Sequence, residues 1–164
     1  MTQTMTAETA SDPDDIDMRL ATSAWLSVVQ TYNQCTATLT ARMAPLGLSL
    51  LQYEILMNLL RSPGMTQQEL ANKLFSAKSG ISMQIAGFEK QGIIRRLSDP
   101  ADARVRRLEL TDEGQALAAK VRDVQDEVVR GMMGAYPAEE LQVLKERMAH
   151  MMTILKDMRG ALRE

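Results

Sequence analysis

Apolar residues recur at spacings of three and four along several stretches of the chain, a pattern that is typical of amphipathic helices. The first stretch covers residues 16–44 and stops at Pro45, which cannot continue a helix. Ser49 and Gln52 follow with the spacing of a capping box, in which each side chain accepts a hydrogen bond from the other residue's backbone N–H. This pair predicts the start of a second helix, which would end before Pro63.

Two shorter helices are predicted next. Thr66 and Glu69 have the same capping-box spacing and indicate a helix over residues 67–74. Ser76 is placed to cap another helix over residues 77–91. Because only a few residues separate the two helices, they would form a helix-turn-helix.

A short region of alternating apolar and charged residues follows the helix-turn-helix. Residues 93–97 and 105–110 flank a turn at residues 98–100 and predict a small β-hairpin. A hairpin that comes directly after a helix-turn-helix is a wing. Residues 49–111 are therefore predicted to form a winged helix-turn-helix lobe.

Two long helices are predicted after the wing. Thr111 provides a cap for the first, and the two acidic residues after it suit the N-terminal end of a helix dipole. We expect this helix to end at Gly131 and Gly134, and the last helix to begin at Pro137. The last helix carries an apolar seam with spacings of three and four, formed by Leu141, Leu144, Met148, Met151, Leu155 and Met158.

This order of elements predicts a mostly α protein with a small β-hairpin wing. Residues 16–48 and 112–164 would form a helical dimerisation region from the N- and C-terminal helices, because the seam is too apolar to stay exposed on a small protein. A homodimer is therefore expected. Residues 1–15 are acidic, lack Lys and Arg, and contain no apolar core, so we interpret them as a disordered tail rather than a signal peptide.

Charge is distributed unevenly along the chain, although the net charge is only −2. Residues 61–107 contain nine Lys and Arg residues and four Asp and Glu residues, an excess of +5, so the rest of the chain carries −7. A basic middle between acidic ends is typical of a DNA-binding lobe. The single cysteine, the missing export signal and the lack of any apolar run of about 18 residues favour a cytoplasmic protein that does not enter a membrane.

The helix over residues 77–91 has the faces expected of a recognition helix. At about 100° per residue, Ile81, Ile85 and Phe88 cluster on one side and are expected to pack inward. The opposite side is small or polar except for one methionine, which suits a helix that lies in the major groove of duplex DNA. The residues expected to face DNA from this helix are Lys78, Ser79, Ser82, Met83 and Lys90.

The wing carries further basic residues. Arg104 is predicted at its tip, where a guanidinium can enter a narrow minor groove of enhanced negative potential. The Asp102 carboxylate, two residues earlier, is expected to hold that guanidinium in a fixed position. Arg95 and Arg106 on the flanking strands complete the expected set of DNA contacts.

Residues 66–114 resemble the MarR (multiple antibiotic resistance regulator) family in the runs TQQELANKL, SGISMQIAGFEKQGIIRR and DPADARVRRLELTDEG. The family's most distinctive marks are the D-x-R pair of the wing and the closing L-x-L-T-x-x-G, which are here Asp102, Arg104, Leu108, Leu110, Thr111 and Gly114. The resemblance implies that Arg104 enters the minor groove and that Lys78, Ser79, Ser82 and Met83 read the major groove. The turn at residues 75–77 lacks the Gly often found in such turns, which leaves the start of the recognition helix open by a residue or two.

The resemblance implies a homodimeric transcription regulator that binds a pseudo-palindromic duplex and, by family precedent, acts as a repressor. It also implies a pocket for aromatic acids or phenols near the first helices, which Trp25 and Tyr32 could line, although both could equally be plain core residues. A small-molecule effector bound there would release DNA by changing the separation of the two recognition helices.

Other functions fit the sequence less well. Some family members sense oxidants through a cysteine of the first helix, but Cys35 lies on the apolar face, which favours a buried, inert thiol. A winged helix that binds only protein would carry apolar anchors on its recognition face and no wing arginine. With His150 as the one histidine, no His-based zinc site forms within one chain. No catalytic set or phosphate loop is present either, so neither an enzyme nor a cofactor is expected.

Overall fold

The computed structural model describes residues 16–161, so the predicted acidic tail at residues 1–15 lies outside the described residues. The elements are α1 (Met18–Met43), α2 (Leu50–Arg61), β1 (Met65–Thr66), α3 (Gln67–Lys73), α4 (Lys78–Lys90), β2 (Ile94–Ser98), β3 (Arg106–Leu110), α5 (Asp112–Met133) and α6 (Ala138–Ala161). A short 3-10 turn at Ala44–Leu46 follows α1. The chain divides after Thr38 into two compact units. The predicted mostly α fold with a small β wing is confirmed.

None of the described helices is by itself long and apolar enough to cross a bilayer. The pair Met18–Leu46 and Leu50–Arg61 meets the length and composition requirements only when taken together, across a bend of 88°.

Three helix starts follow from the predicted short-range caps. The Ser49 hydroxyl accepts a hydrogen bond from the N–H of Gln52 at 3.2 Å, and the Gln52 side chain accepts from the N–H of Ser49 at 2.8 Å. Thr66 and Glu69 make the same reciprocal pair at 3.2 and 2.7 Å. The hydroxyl of Thr111 caps α5. Each of these contacts joins residues three apart in the chain, so the caps could be predicted without the tertiary structure.

The start of α4 differs from the prediction. Ser76 does not cap the helix, because its hydroxyl donates to the carbonyl of Leu74 at 3.2 Å. The helix begins at Lys78 with Ala77 as its N-cap and without a side-chain cap. Phe75 adopts a left-handed backbone conformation with φ of 49°, the conformation for which such turns usually use glycine. The predicted Ser76 cap was therefore wrong, because this turn moves the start of the helix by one residue.

The wing is a three-stranded antiparallel sheet with the order β1-β3-β2. The β2–β3 hairpin matches the prediction. The third strand, β1, pairs with β3 so that Met65 lies opposite Leu108. It was missed because a strand of two residues has no periodicity to detect.

The hydrophobic core of the lobe fixes the position of α4 and the wing. Its largest fully buried side chains include Ile55, Leu56, Leu59, Leu70, Ile81, Ile85, Phe88, Leu108 and Val121. These residues come from α2, α3, α4, β3 and α5. A polar contact supplements the α2–α5 packing: the side-chain oxygen of Gln125 accepts from the Tyr53 hydroxyl at 2.8 Å and from the Arg61 guanidinium at 2.9 Å.

The C-terminal helices differ from the prediction in their ends. α5 continues through Gly131 to Met133 and has Gly134 as its C-cap, so the prediction that Gly131 ends it was wrong. A single interior glycine costs a helix only about 1 kcal/mol relative to alanine, which the rest of α5 offsets. α6 begins at Ala138, one residue after Pro137. Within the described range, no residue of α6 is buried in the single chain.

Candidate nucleic-acid interface

α4 turns one face to the core of the lobe and the other to solvent. Ile81, Ile85 and Phe88 are buried, which confirms the predicted inner face. The exposed residues of the other face are Lys78, Ser79, Met83, Ala86 and Lys90, with Ser82 partly exposed. Met83 is 67% exposed and is the one large apolar side chain on this face.

The outer face of α4 is free of negative charge. The one acidic residue in the helix, Glu89, forms an ion pair with Arg96 of β2, with a distance of 2.9 Å between Glu89 Oε1 and Arg96 Nε. This pair joins α4 to the wing. It leaves the small and polar side chains of α4 without a carboxylate that would repel phosphate.

The tip of the wing, residues 99–105, is held by hydrogen bonds from its own backbone. We refer to this segment as the wing loop. The Asp99 carboxylate accepts from the N–H groups of Ala101 at 2.7 Å and Asp102 at 3.2 Å. The N–H of Asp99 donates to the carbonyl of Val105 at 3.1 Å. The loop is therefore a defined turn built around one buried carboxylate.

Asp99 is only 9% exposed, and its charge is stabilised where it lies. The backbone N–H of Ala101 lowers the pKa of the Asp99 carboxyl from its ordinary value, and the Arg107 guanidinium lowers it further. A carboxylate whose pKa is depressed in the folded state adds stability at neutral pH, and that stability is lost as the pH falls through the depressed pKa. The wing loop is thus expected to loosen only in acid.

Asp102 acts differently from the prediction. Its carboxylate accepts a hydrogen bond from the backbone N–H of Arg104 at 2.9 Å. The expected contact with the Arg104 guanidinium was wrong. The short Asp102 side chain easily reaches a backbone N–H two residues ahead, whereas the guanidinium lies at the end of a long side chain. Within residues 16–161, the Arg104 guanidinium has no hydrogen bond or ion pair, and the residue is exposed.

The two arginines that follow the loop have different environments. Arg106 donates to the Ser98 hydroxyl across the hairpin and remains exposed. Arg107 forms an ion pair with Asp99 and donates to the backbone carbonyl of Gly64 at 2.9 Å. The sequence analysis missed this role of Arg107. No local sequence pattern indicates this contact, since the partner carbonyl lies 43 residues away in the chain.

Arg95 is also paired with a carboxylate. Its Nη2 lies 3.1 Å from Oε2 of Glu109 on the neighbouring strand. In the register of the sheet Arg95 lies opposite Glu109, whereas Arg96 lies opposite the buried Leu108, so the two arginines occupy opposite faces. A phosphate at Arg95 would have to compete with Glu109, and the contact stays a prediction.

The structure thus sorts the basic residues of α4 and the wing into two groups. Arg95, Arg96 and Arg107 each have a carboxylate partner. The exposed cations of the expected interface that form no ion pair within the described part of the chain are Lys78, Lys90, Arg104 and Arg106. These four charges give the exposed surface of α4 and the wing a positive potential.

The remaining expected site residues lie on the long helices. Trp25 and Tyr32 of α1 are 61% and 62% exposed in the single chain, and Cys35 is partly exposed. On α6, the seam residues are exposed or, for Leu141 and Met148, partly exposed. None of these expectations is tested by the single chain, and each stays a prediction.

Comparison with known proteins agrees with this geometry. The sequence model of the MarR family matches residues 46–105, the segment that contains the helix-turn-helix and most of the wing. The transcriptional regulator HosA of Escherichia coli O111:H- is 29% identical over 135 residues, which cover 82% of this chain and 98% of HosA. Relatives from Bacillus species are HTH-type transcriptional regulators as well.

Solved structures show the same fold. AbsC, a MarR family transcriptional regulator from Streptomyces coelicolor, superposes with a TM-score of 0.72 at 28% identity, covering 83% of this chain and 94% of AbsC. Wild-type MarR from E. coli in its apo form superposes with a TM-score of 0.63 at 20% identity, covering 76% of this chain and 94% of MarR, which shows a shared fold. With the α4 and wing geometry, these matches show that the chain shares the winged helix-turn-helix fold of MarR family transcriptional regulators and resembles that family in sequence over residues 46–105.

Proposed function

We propose that this protein is a transcription regulator of the MarR type that binds a pseudo-palindromic duplex as a homodimer in the cytoplasm and represses transcription by occupying its operator. Each α4 would lie in a major groove and each wing loop would reach the adjacent minor groove. A two-fold dimer sets the two recognition helices about 34–36 Å apart, one turn of B-DNA. Pseudo-palindromic sites follow from that symmetry.

The observation that carries the proposal is the unpaired Arg104. Three other arginines of the lobe have carboxylate partners, yet the guanidinium at the wing tip has none within the described residues. The backbone beside it is fixed by the Asp99 and Asp102 carboxylates. An exposed cation on a fixed loop is suited to the narrow, strongly negative minor groove of A·T-rich DNA.

The exposed face of α4 supports the major-groove part of the proposal. Ser79 and Ser82 can donate to or accept from base edges, and the exposed Met83 can lie against a thymine methyl group. Lys78 and Lys90, which form no ion pair in the described chain, are suited to phosphates at the two ends of the helix.

The homodimer is supported by apolar surface on the two long helices. Trp25 and Tyr32 of α1 are mostly exposed in the single chain, and so are Leu155 and Met158 of α6, while Met151 is 44% exposed. Exposed apolar residues repeating along a helix are typical of a subunit interface. Family regulators bind DNA as dimers, which agrees with this assignment.

An aromatic or phenolic effector would release the operator under this proposal. Trp25 and Tyr32 are seven residues apart on α1, so they share one face of that helix and can stack on a ring. The effector would act only if it bound the DNA-free arrangement of the dimer more tightly than the DNA-bound one.

The test begins with duplexes selected from a random pool by the purified protein, which should contain inverted repeats. Arg104→Ala should then weaken binding to the selected operator by about 1–3 kcal/mol, with the largest loss where the flanking minor groove is A·T-rich. Arg122→Ala, which removes an exposed arginine of α5, is the matched control and should bind like wild type.

Melting temperatures of both variants separate a lost contact from unfolding, because Arg104 serves no core and its removal should leave stability unchanged. Selected sites without an inverted repeat would argue against the symmetric dimer. Wild-type affinity in Arg104→Ala would show that the wing does not contact DNA.

A further inference from the structure

Arg107 connects the wing loop to the beginning of the helix-turn-helix. Its Nε donates to the carboxylate of Asp99, and its Nη1 donates to the carbonyl of Gly64 at 2.9 Å. Gly64 lies in the turn between α2 and β1, and its own N–H donates to the carbonyl of Leu108 at 3.0 Å. One guanidinium thus joins two segments that are 35 residues apart, from Gly64 to Asp99.

The connection continues from Asp99 to the tip of the wing. The Asp99 carboxylate that binds Arg107 also accepts from the N–H of Asp102 at 3.2 Å, and the Asp102 carboxylate accepts from the N–H of Arg104 at 2.9 Å. An unbroken series of hydrogen bonds therefore runs from Gly64 through Arg107, Asp99 and Asp102 to the backbone of Arg104.

The other end of the series lies beside the start of α3. Thr66, two residues after Gly64, forms the capping box with Glu69. Hydrogen bonds from Thr66 are the main reason that the pKa of Glu69 is lowered, and the nearby charge of Arg107 lowers it slightly further. Arg107 is thus close to the first turn of the helix-turn-helix as well as to the wing.

Arg107 is poorly placed to bind DNA itself. Its side chain is 42% exposed, its charge is balanced by the buried Asp99, and two of its donors are already used. We propose that Arg107 is a positioning residue, which holds the wing loop against the Gly64 turn so that Arg104 is presented to the minor groove. This inference rests on the proposed function, because it assigns the role of Arg107 to the DNA contact of Arg104.

The physical basis is the ordering of the loop before binding. A loop that is already fixed loses little conformational entropy when its tip enters the groove. A loose loop loses more, and this loss makes its binding free energy less favourable. Loss of the Arg107 contacts should therefore weaken binding only through Arg104. Two residues that act through one contact give non-additive effects when both are changed.

The experiment is a cycle of four proteins: wild type, Arg107→Gln, Arg104→Ala and the double variant. Each is titrated with the selected operator and with random duplex at several salt concentrations. We expect Arg104→Ala to weaken operator binding roughly 5- to 150-fold and Arg107→Gln roughly 2- to 10-fold. The double variant should bind within about twofold of Arg104→Ala alone. The salt dependence of Arg107→Gln should equal that of wild type, because no phosphate contact is lost.

A second measurement does not need DNA. In the free protein, backbone order parameters of residues 101–105 should fall in Arg107→Gln from about 0.85 toward 0.6 or lower, while those of α4 stay unchanged. Asp99→Asn removes the carboxylate partner of the same ion pair. This variant replaces Arg107→Gln in the experiment if Arg107→Gln fails to fold. Arg107→Lys keeps the charge but cannot reach both partners with a planar fork, so it should resemble Arg107→Gln.

The outcomes separate the two proposals. If wild type selects no duplex, the proposed function fails, and unchanged order parameters would then overturn the positioning role as well. If wild type binds and Arg104→Ala weakens it, but the two losses add in the double variant, only the positioning role of Arg107 is overturned. A salt slope reduced by about one charge in Arg107→Gln would also overturn it, because Arg107 would then bind a phosphate directly.

Discussion

The Asp102 carboxylate binds the backbone N–H of Arg104 at 2.9 Å and not its guanidinium. Asp102 therefore shapes the path of the loop and leaves the arginine side chain available. Asp102→Ala should weaken operator binding less than Arg104→Ala does. Asp102→Asn keeps the side-chain oxygen that accepts this hydrogen bond and removes a negative charge near DNA, so it should bind at least as well as wild type.

Equilibrium titration of both Asp102 variants distinguishes the hydrogen bond from the charge. Equal losses of operator affinity in the alanine and asparagine variants would mean that the carboxylate charge matters. That result would agree with the contact between Asp102 and the Arg104 guanidinium that the sequence analysis expected. Neither variant should change the melting temperature greatly, because Asp102 is exposed.

Gly114 in the first turn of α5 has no room for a side chain. A Cβ at this position would lie 2.1 Å from the carbonyl oxygen of Ile93, which is backbone and cannot rotate away. Gly114→Ala should therefore destabilise the fold by about 1–3 kcal/mol or more. Gly131→Ala in the same helix is the matched control, because a Cβ there meets nothing within 4 Å.

Denaturant unfolding should show the two alanine variants moving in opposite directions. Gly131→Ala should stabilise the helix by roughly 0.5–1 kcal/mol, the usual difference between the two residues. If Gly114→Ala were as stable as wild type, the close approach of Ile93 to α5 would be contradicted.

Lys90 and Arg95 differ in their charge partners, and their variants should differ in salt dependence. Lys90 has no ion pair in the described chain, so Lys90→Ala should reduce the salt slope of DNA binding by about one charge and affect all sequences alike. Arg95 is paired with Glu109 at 3.1 Å, so Arg95→Ala should change the slope less. Equal slope changes would mean that Arg95 exchanges Glu109 for a phosphate on binding.

The exposed seam of α6 predicts a variant that separates the subunits without unfolding the lobe. Leu155 is 63% exposed in the single chain, so Leu155→Glu should cost the lobe nothing while placing a charge in the proposed interface. Sedimentation at micromolar concentration should show a shift toward monomer. Lys145→Glu, at an exposed polar position of the same helix, should remain dimeric. A stable Leu155→Glu dimer would place the interface elsewhere.

Glu54 on α2 predicts a pH-dependent stability. Burial raises the pKa of its carboxyl from the ordinary value of 4.5, so the folded state holds this proton to a higher pH than the unfolded state does. The stability associated with the protonated form is present below pH 4.5 and is lost as the pH rises through the raised pKa. Glu54→Gln should therefore melt at a higher temperature than wild type at pH 7.

The higher melting temperature of Glu54→Gln should disappear in acid, where the wild-type carboxyl is protonated. Thermal melts between roughly pH 4 and pH 7 cover the window set by a raised carboxyl pKa. Glu69 provides a comparison of opposite sign, because Thr66 lowers its pKa and its carboxylate stabilises the fold above the ordinary value. A Glu54→Gln variant that is equally stable to wild type at every pH would contradict the desolvation of this carboxyl.

Much of the lobe could be predicted because its determinants are local. The caps at Ser49, Thr66 and Thr111 bind partners three residues away, so the sequence contains both halves of each contact. The inner face of α4 follows from helical periodicity alone. The cap predicted at Ser76 does not form, although Ser is a preferred N-cap residue. The left-handed backbone at Phe75 changes the course of the turn, and the Ser76 hydroxyl donates to the carbonyl of Leu74 instead.

By itself, the sequence determined the order of helices, the wing, the inward face of α4 and the excess of basic residues in the lobe, because periodicity, capping and composition are properties of neighbouring residues. Only the tertiary structure decided which of those basic residues are paired. Arg107 reaches Gly64 across 43 residues, and Arg95 meets Glu109 through the register of a sheet. Such pairings depend on how the backbone segments are brought together in space, and that is set by the packing of the whole core and not by any short stretch of sequence.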